Sequence, residues 1–168
     1  MNQLRSFVFA FLFYLVLVIE TQPQFRVMSI GGVTPDLALV MLTVYGIERG
    51  ALRGAFVGLA VGLIRDAASA APPGTHAMIG AIAGYLAGKL GWRIYKGHIS
   101  SQVFTVVLVA VVAHTVQFLV DTGGNFPGTL RSAPVAIILQ AIYSGLAAPP
   151  FFWGGGLLLE RGRRLDAN

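Results

Sequence analysis

Eight residues with ionisable or hydrogen-bonding side chains stand in or at the edges of strongly apolar stretches: Asp36, Arg65, Asp66, His76, His114, Gln117, Asp121 and Gln140. A charge inside a membrane costs several kcal/mol unless it is paired or hydrated, so such residues face a bundle interior or a wet recess. Three kinds of chemistry fit these residue types. They can line a pocket or a proton-linked site, they can form a hydrogen-bonded network that sets helix register, with Arg65 paired to Asp121 or snorkelling, or they can meet a partner protein. His114, Gln117 and Asp121 follow one another at i, i+3 and i+7, nearly on one helical face. Metal binding is not indicated, because His76, His98 and His114 fall on different elements and cysteine is absent. No nucleotide-binding loop, nucleophile elbow or paired-carboxylate motif occurs, so no catalytic or cofactor-binding residue is assigned.

The elements that position these residues follow from composition. Of 168 residues 55% are hydrophobic and only 11% charged, and mean hydropathy is +0.73. A soluble domain carries about a quarter charged residues, so the chain is expected to be integral to the lipid bilayer. A span needs about 20 apolar residues. Six segments approach that length, at about 4–19, 35–47, 50–70, 76–92, 100–120 and 133–159, and are read as one integral membrane domain covering 1–168. The first is read as an uncleaved anchor. The second opens at Thr34-Pro35-Asp36, with Thr34 as a cap, Pro35 in the first helical position and Asp36 at the positive helix end. Pro72-Pro73-Gly74 ends the third, and the sixth is broken near Pro149-Pro150 and Gly154-Gly155-Gly156.

Charge sets the expected orientation. The N-terminus, the 48–53 turn, the 89–96 segment and the C-terminal tail hold nine of the twelve basic residues against three acids; the other side holds Arg26, Arg65 and Arg131 against four acids. By the positive-inside rule both termini are cytoplasmic, and the net charge of +5 reports topology and not a nucleic-acid partner. At a rise of 1.5 Å per residue, Arg65 and Asp66 lie ~22 Å from the cytoplasmic end of their span, and Gln140 ~10 Å below the outer surface. Glu20, Asp36 and His76 sit at outer span ends. The expected fold is therefore all-α, a compact bundle of six transmembrane helices with its polar residues gathered in an outer layer.

Glycine accounts for 21 residues. Gly50, Gly54, Gly58 and Gly62 recur every fourth position on the third span, and Gly80, Gly84 and Gly88 do so on the fourth. Gly46 extends the first row across a charged turn, so only Gly50 to Gly62 are expected on a single span. Such rows let backbones approach closely where no hydrophobic force separates helices from lipid. They serve either internal packing of the third span on the fourth or second, or a partner interface.

The string Pro35-Asp36-Leu37, Glu48-Arg49-Gly50, Gly54, Gly58, Gly62, Asp66, Ala68-Ser69, Pro73-Gly74, His76-Ala77 and Gly84-Tyr85-Leu86-Ala87-Gly88 resembles the rod shape-determining protein MreD family. That resemblance implies a non-enzymatic subunit of the bacterial cell-wall elongation machinery in the cytoplasmic membrane. It implies the transmembrane helix of MreC as partner, together with RodA and its penicillin-binding transpeptidase, and MreB indirectly. MreD-like chains are also similar to the substrate-capture subunits of energy-coupling-factor transporters, so small-molecule capture through an outward polar pocket is the alternative. A wall-synthesis enzyme would need longer loops to cover a substrate.

Overall fold

The computed structural model describes residues 2–21, 34–69, 72–93, 99–122 and 133–160. Arg26, Arg131, the 94–98 segment with His98, and the tail residues Arg161, Arg163 and Arg164 lie outside the described residues. Seven helices are described: α1 (Asn2–Thr21), α2 (Leu37–Arg49), α3 (Ala51–Ala68), α4 (Thr75–Arg93), α5 (Ile99–Asp121), α6 (Ala133–Leu146) and α7 (Ala148–Glu160). No strand occurs among the described residues, and the fold is all-α.

Among the described residues two segments are long and apolar enough to cross a membrane, Ser100–Asp121 and Pro134–Gly154. The second is the broken one. α6 ends in a turn at Ala147, and Pro149 and Pro150 occupy the first turn of α7. Proline has no amide proton to give the preceding turn, and it is tolerated where helical amides lack partners. The chain therefore stops one helix and starts another.

α2 is the axis of the molecule. Nine of its thirteen residues are buried, from Ala38 to Ile47, as its uninterrupted apolar sequence requires. Leu39, Met41 and Leu42 meet Val109, Ala110 and Ala113 of α5 and Phe13 and Leu17 of α1 in one cluster. Val40, Val44 and Ile47 meet Val106, Ala148 and Phe152 in a second cluster. The hydroxyls of Thr43 and Thr105 are silenced inside their own helices by bonds to the carbonyls of Leu39 (2.8 Å) and Ser101 (2.9 Å). Outward faces remain apolar: Leu52, Phe56, Leu59 and Leu63 on α3, and Val135, Ile138, Leu139, Ile142 and Leu146 on α6, are all exposed. Large exposed apolar faces of this extent suit lipid or another helix, not water.

The glycine rows face each other across α3 and α4. A Cβ on Gly58 would lie 2.5 Å from the carbonyl carbon of Gly80, one on Gly84 would lie 2.5 Å from that of Gly54, and one on Gly88 would lie 2.5 Å from that of Gly50. At Gly62 it would run into the backbone of His76 and Ala77. Each step of four down α3 is matched by a step of four up α4, the signature of antiparallel helices in backbone contact. Gly46 joins the same seam from α2, where a Cβ would stand 2.9 Å from the Gly84 carbonyl oxygen. Gly46 is thus on a different helix from Gly54 to Gly62, as expected, yet the row continues in space across the turn. Gly50 itself departs from the expected packing role: nothing lies within 4 Å of its Cβ position, and its φ of 92° makes it the turn between α2 and α3. Gly145 and Gly91, which the spacing did not single out, are packing glycines too, against Val107 and Ile47.

Candidate functional site

One end of the bundle collects the polar side chains. It is built from the C-terminal ends of α1, α3 and α5, the N-terminal ends of α2 and α4, and the middle of α6. The N-terminus of α2 is recessed there, because the Asp36 amide donates to Ser144 Oγ (3.0 Å), eleven residues beyond the start of α6. Asp36, not Thr34, is the N-cap: its Oδ1 accepts from the Leu39 amide at 2.8 Å. Over this recessed terminus lies a chamber of about 320 Å³, lined among others by Glu20, Asp36, Arg65, His76, His114, Gln117 and Gln140.

Arg65 is the hub of the chamber. Its Nη2 donates to Glu20 Oε2 and to Asp36 Oδ1, both at 2.6 Å, and its Nη1 donates to Asp36 Oδ2 at 3.0 Å. Two carboxylates on two helices thus share one guanidinium, whose fork accepts the bidentate geometry. Glu20 Oε1 also accepts from the Ala38 amide (2.9 Å), completing the cap of α2. The expected pairing of Arg65 with Asp121 is not what the structure contains. Asp121 is exposed at the end of α5 and does not line the chamber. Glu20 takes that place, and its signal in the sequence was an acid closing the apolar run of the first span.

Asp66 is likewise not a chamber residue. Its Oδ1 accepts from the His76 amide and from His76 Nδ1, both at 2.9 Å, and its Oδ2 accepts from the amides of Gly74 (3.0 Å) and Ala77 (3.1 Å). All four acceptor positions of the carboxylate are therefore occupied. The turn that delivers these amides has the Thr75 amide donating to the Pro72 carbonyl, with Pro73 and Gly74 (φ 94°) in its central positions, as a type II turn demands. Asp66 of α3 thus ties down the N-terminus of α4 and holds the upper end of the glycine seam shut. It also sets the His76 ring: Nδ1–H is spent on the carboxylate, which leaves Nε2 as an acceptor toward the Gln117 amide at 3.4 Å. Replacement of Asp66 by alanine is expected to cost about 1–3 kcal/mol of stability, the range for orphaned buried donors. The unfolding temperature of the purified variant measures it, and an unchanged temperature would contradict this tie. The loss falls on the amides at the start of α4 and not on Arg65.

His114 completes the wall. It is only 8% exposed, and its Nε2 is buried without a hydrogen-bond partner among the described residues. An unsatisfied polar atom of this kind costs about 1–3 kcal/mol. Its ring borders both the chamber and a narrower void of about 30 Å³ beneath it, shared with Asp36, Arg65, His76 and Gln117. Of the eight polar residues taken from the sequence, the structure brings Asp36, Arg65, His76, His114, Gln117 and Gln140 to one chamber, puts Asp66 behind its wall and leaves Asp121 outside. Glu20, expected at an outer span end, joins them in the lining, as do Thr34 and Ser69, while Ser144 beneath the chamber was not selected from the sequence. Among the described residues no group of His, Asp and Glu has the arrangement of a metal site.

The profile of the family described as rod shape-determining protein MreD matches residues 1–153 of the chain. Comparisons with curated proteins and with solved structures found no match.

Proposed function

Because the chain belongs to the rod shape-determining protein MreD family, we propose that it serves rod shape determination as a non-enzymatic, six-span subunit of the cell-wall elongation machinery. It would sit in the bacterial cytoplasmic membrane, with both termini cytoplasmic and the chamber opening outward. Its partner in the bilayer is the transmembrane helix of MreC, and through that complex it supports RodA and the penicillin-binding transpeptidase, with MreB linked indirectly.

The observation that carries this reading is how α3 is used on its two sides. Its glycine face is consumed internally by α4, which leaves a stiff helix backed by a second one. Its opposite face shows Leu52, Phe56, Leu59 and Leu63, all exposed and spaced four, three and four apart. That is the a/d spacing of a helix-pairing seam, and a preformed seam binds a partner helix without first having to order itself. Lys89, stacked 5.5 Å from the Tyr85 ring centroid, and the exposed Arg49 and Arg53 mark the end of the hairpin opposite the chamber, as a cytoplasmic boundary requires.

Co-expression with MreC at matched levels and purification from detergent tests the partnership. A photoreactive residue at position 59 is expected to cross-link to MreC, and one at position 139 on α6 is not. Failure of MreC to co-purify would overturn the partnership. Co-purification with cross-linking at 139 alone would move the seat to α6.

A further inference from the structure

We propose that the chamber above the N-terminus of α2 is a binding site for a small organic ammonium compound that also carries hydroxyl groups. The claim is independent of MreC binding, since it concerns a different face of the molecule.

Charge selects the cation. Glu20 and Asp36 line the chamber with Arg65 as the sole guanidinium or ammonium group among its described lining residues, so the trio carries one negative charge more than positive. In a low-dielectric cleft such an excess draws cations and repels anions. The carboxylates also have unused capacity. The described bonds take two acceptor positions of Glu20 and three of Asp36, and each carboxylate offers about four. Among the described residues three positions have no donor, as many as an ammonium group has protons.

His114 selects the hydroxyl. Its Nε2 is buried without a hydrogen-bond partner among the described residues, in a ring that is 8% exposed and borders the chamber. A hydroxyl both donates and accepts, and so satisfies either tautomer of the imidazole once the ring turns to present this buried atom to the chamber. Gln117, Gln140 and Thr34 add neutral polar groups to the same lining. The volume of about 320 Å³ equals that of roughly ten waters, enough for a molecule of monosaccharide size. These are the properties of a built small-molecule site: a concave cavity with a few convergent polar groups.

Three sugars of nearly one shape separate the contributions of charge and hydroxyls: glucosamine is cationic, glucose neutral and glucuronate anionic. Binding to the full chain in lipid nanodiscs is measured by saturation-transfer NMR, with unfolding temperature as a second readout. Glucosamine is expected to bind at least about tenfold more tightly than glucose and to raise the unfolding temperature, with no binding of glucuronate. His114→Phe keeps a ring in the wall and removes the unpartnered nitrogen. It is expected to fold at least as stably as the parent and to bind glucosamine about tenfold more weakly. Glu20→Gln is expected to erase the preference for glucosamine over glucose. Absence of glucosamine binding at tens of millimolar, equal binding of all three sugars, or unaltered binding by His114→Phe would each overturn the site and leave a water-filled structural recess.

Discussion

Gly58→Ala is expected to destabilise the protein by about 3 kcal/mol or more, the upper end of the range for overpacking, although it adds a single methyl group. The added carbon would be 2.5 Å from the Gly80 carbonyl carbon, with the carbonyl oxygen nearer still. Backbone, unlike a flexible side chain, has no rotamer by which to retreat, so α3 and α4 must separate along their length. Gly58→Leu is expected to prevent accumulation of folded protein. The contrast is Gly154→Ala in α7, where nothing lies within 4 Å of the added carbon. There alanine is expected to stabilise by about 0.5–1 kcal/mol through its higher helix propensity. Opposite signs for the same chemical change, read from unfolding temperatures in one detergent, separate contact from propensity. Equal effects at the two positions would refute the seam.

The second large effect concerns Arg65. Arg65→Gln leaves Glu20 and Asp36 facing each other with no cation between them, both on the chamber wall. Removing one partner of a buried ion pair typically costs about 3–5 kcal/mol. The lower end applies, because the arginine side chain keeps 28% of its exposure. The decisive measurement is the triple variant Glu20→Gln, Asp36→Asn, Arg65→Gln. Asparagine still caps α2, and all three charges are gone. Most of the lost stability is expected to return, since the penalty lies in the uncompensated carboxylates. If the triple variant is no more stable than Arg65→Gln, the carboxylates are not the source of the loss.

These two effects also mark how differently the parts of the molecule were legible. The glycine seam was half visible: a spacing of four identifies a helix face open to close approach, but not whether another helix of the chain or a second protein fills it. Gly50 shows the limit of spacing. It lies in register with Gly54 and Gly58, yet it is a turn with φ of 92°, because the residues around it end one helix and begin the next. Arg65 illustrates a different limit. Its partners stand 45 and 29 positions earlier in the chain, and the neighbouring Asp66 serves another helix altogether. Adjacent helical residues point about 100° apart, so sequence proximity says little about who pairs with whom.

By itself the sequence determined what depends on local chemistry. Apolar runs, prolines and acids at run ends set where helices start and stop, and the scarcity of charge set the solvent. The residue string from Pro35 to Gly88 marked the family. Tertiary structure alone decided what depends on the rotation and height of one helix against another. It recessed α2 to the level of Ser144, and that created the chamber. It gave Arg65 to Glu20 and Asp36, gave Asp66 to the start of α4, and left His114 Nε2 without a partner among the described residues. Helix periodicity is a property of one segment, whereas a site is made by several segments whose relative register is set only once their backbones are in contact.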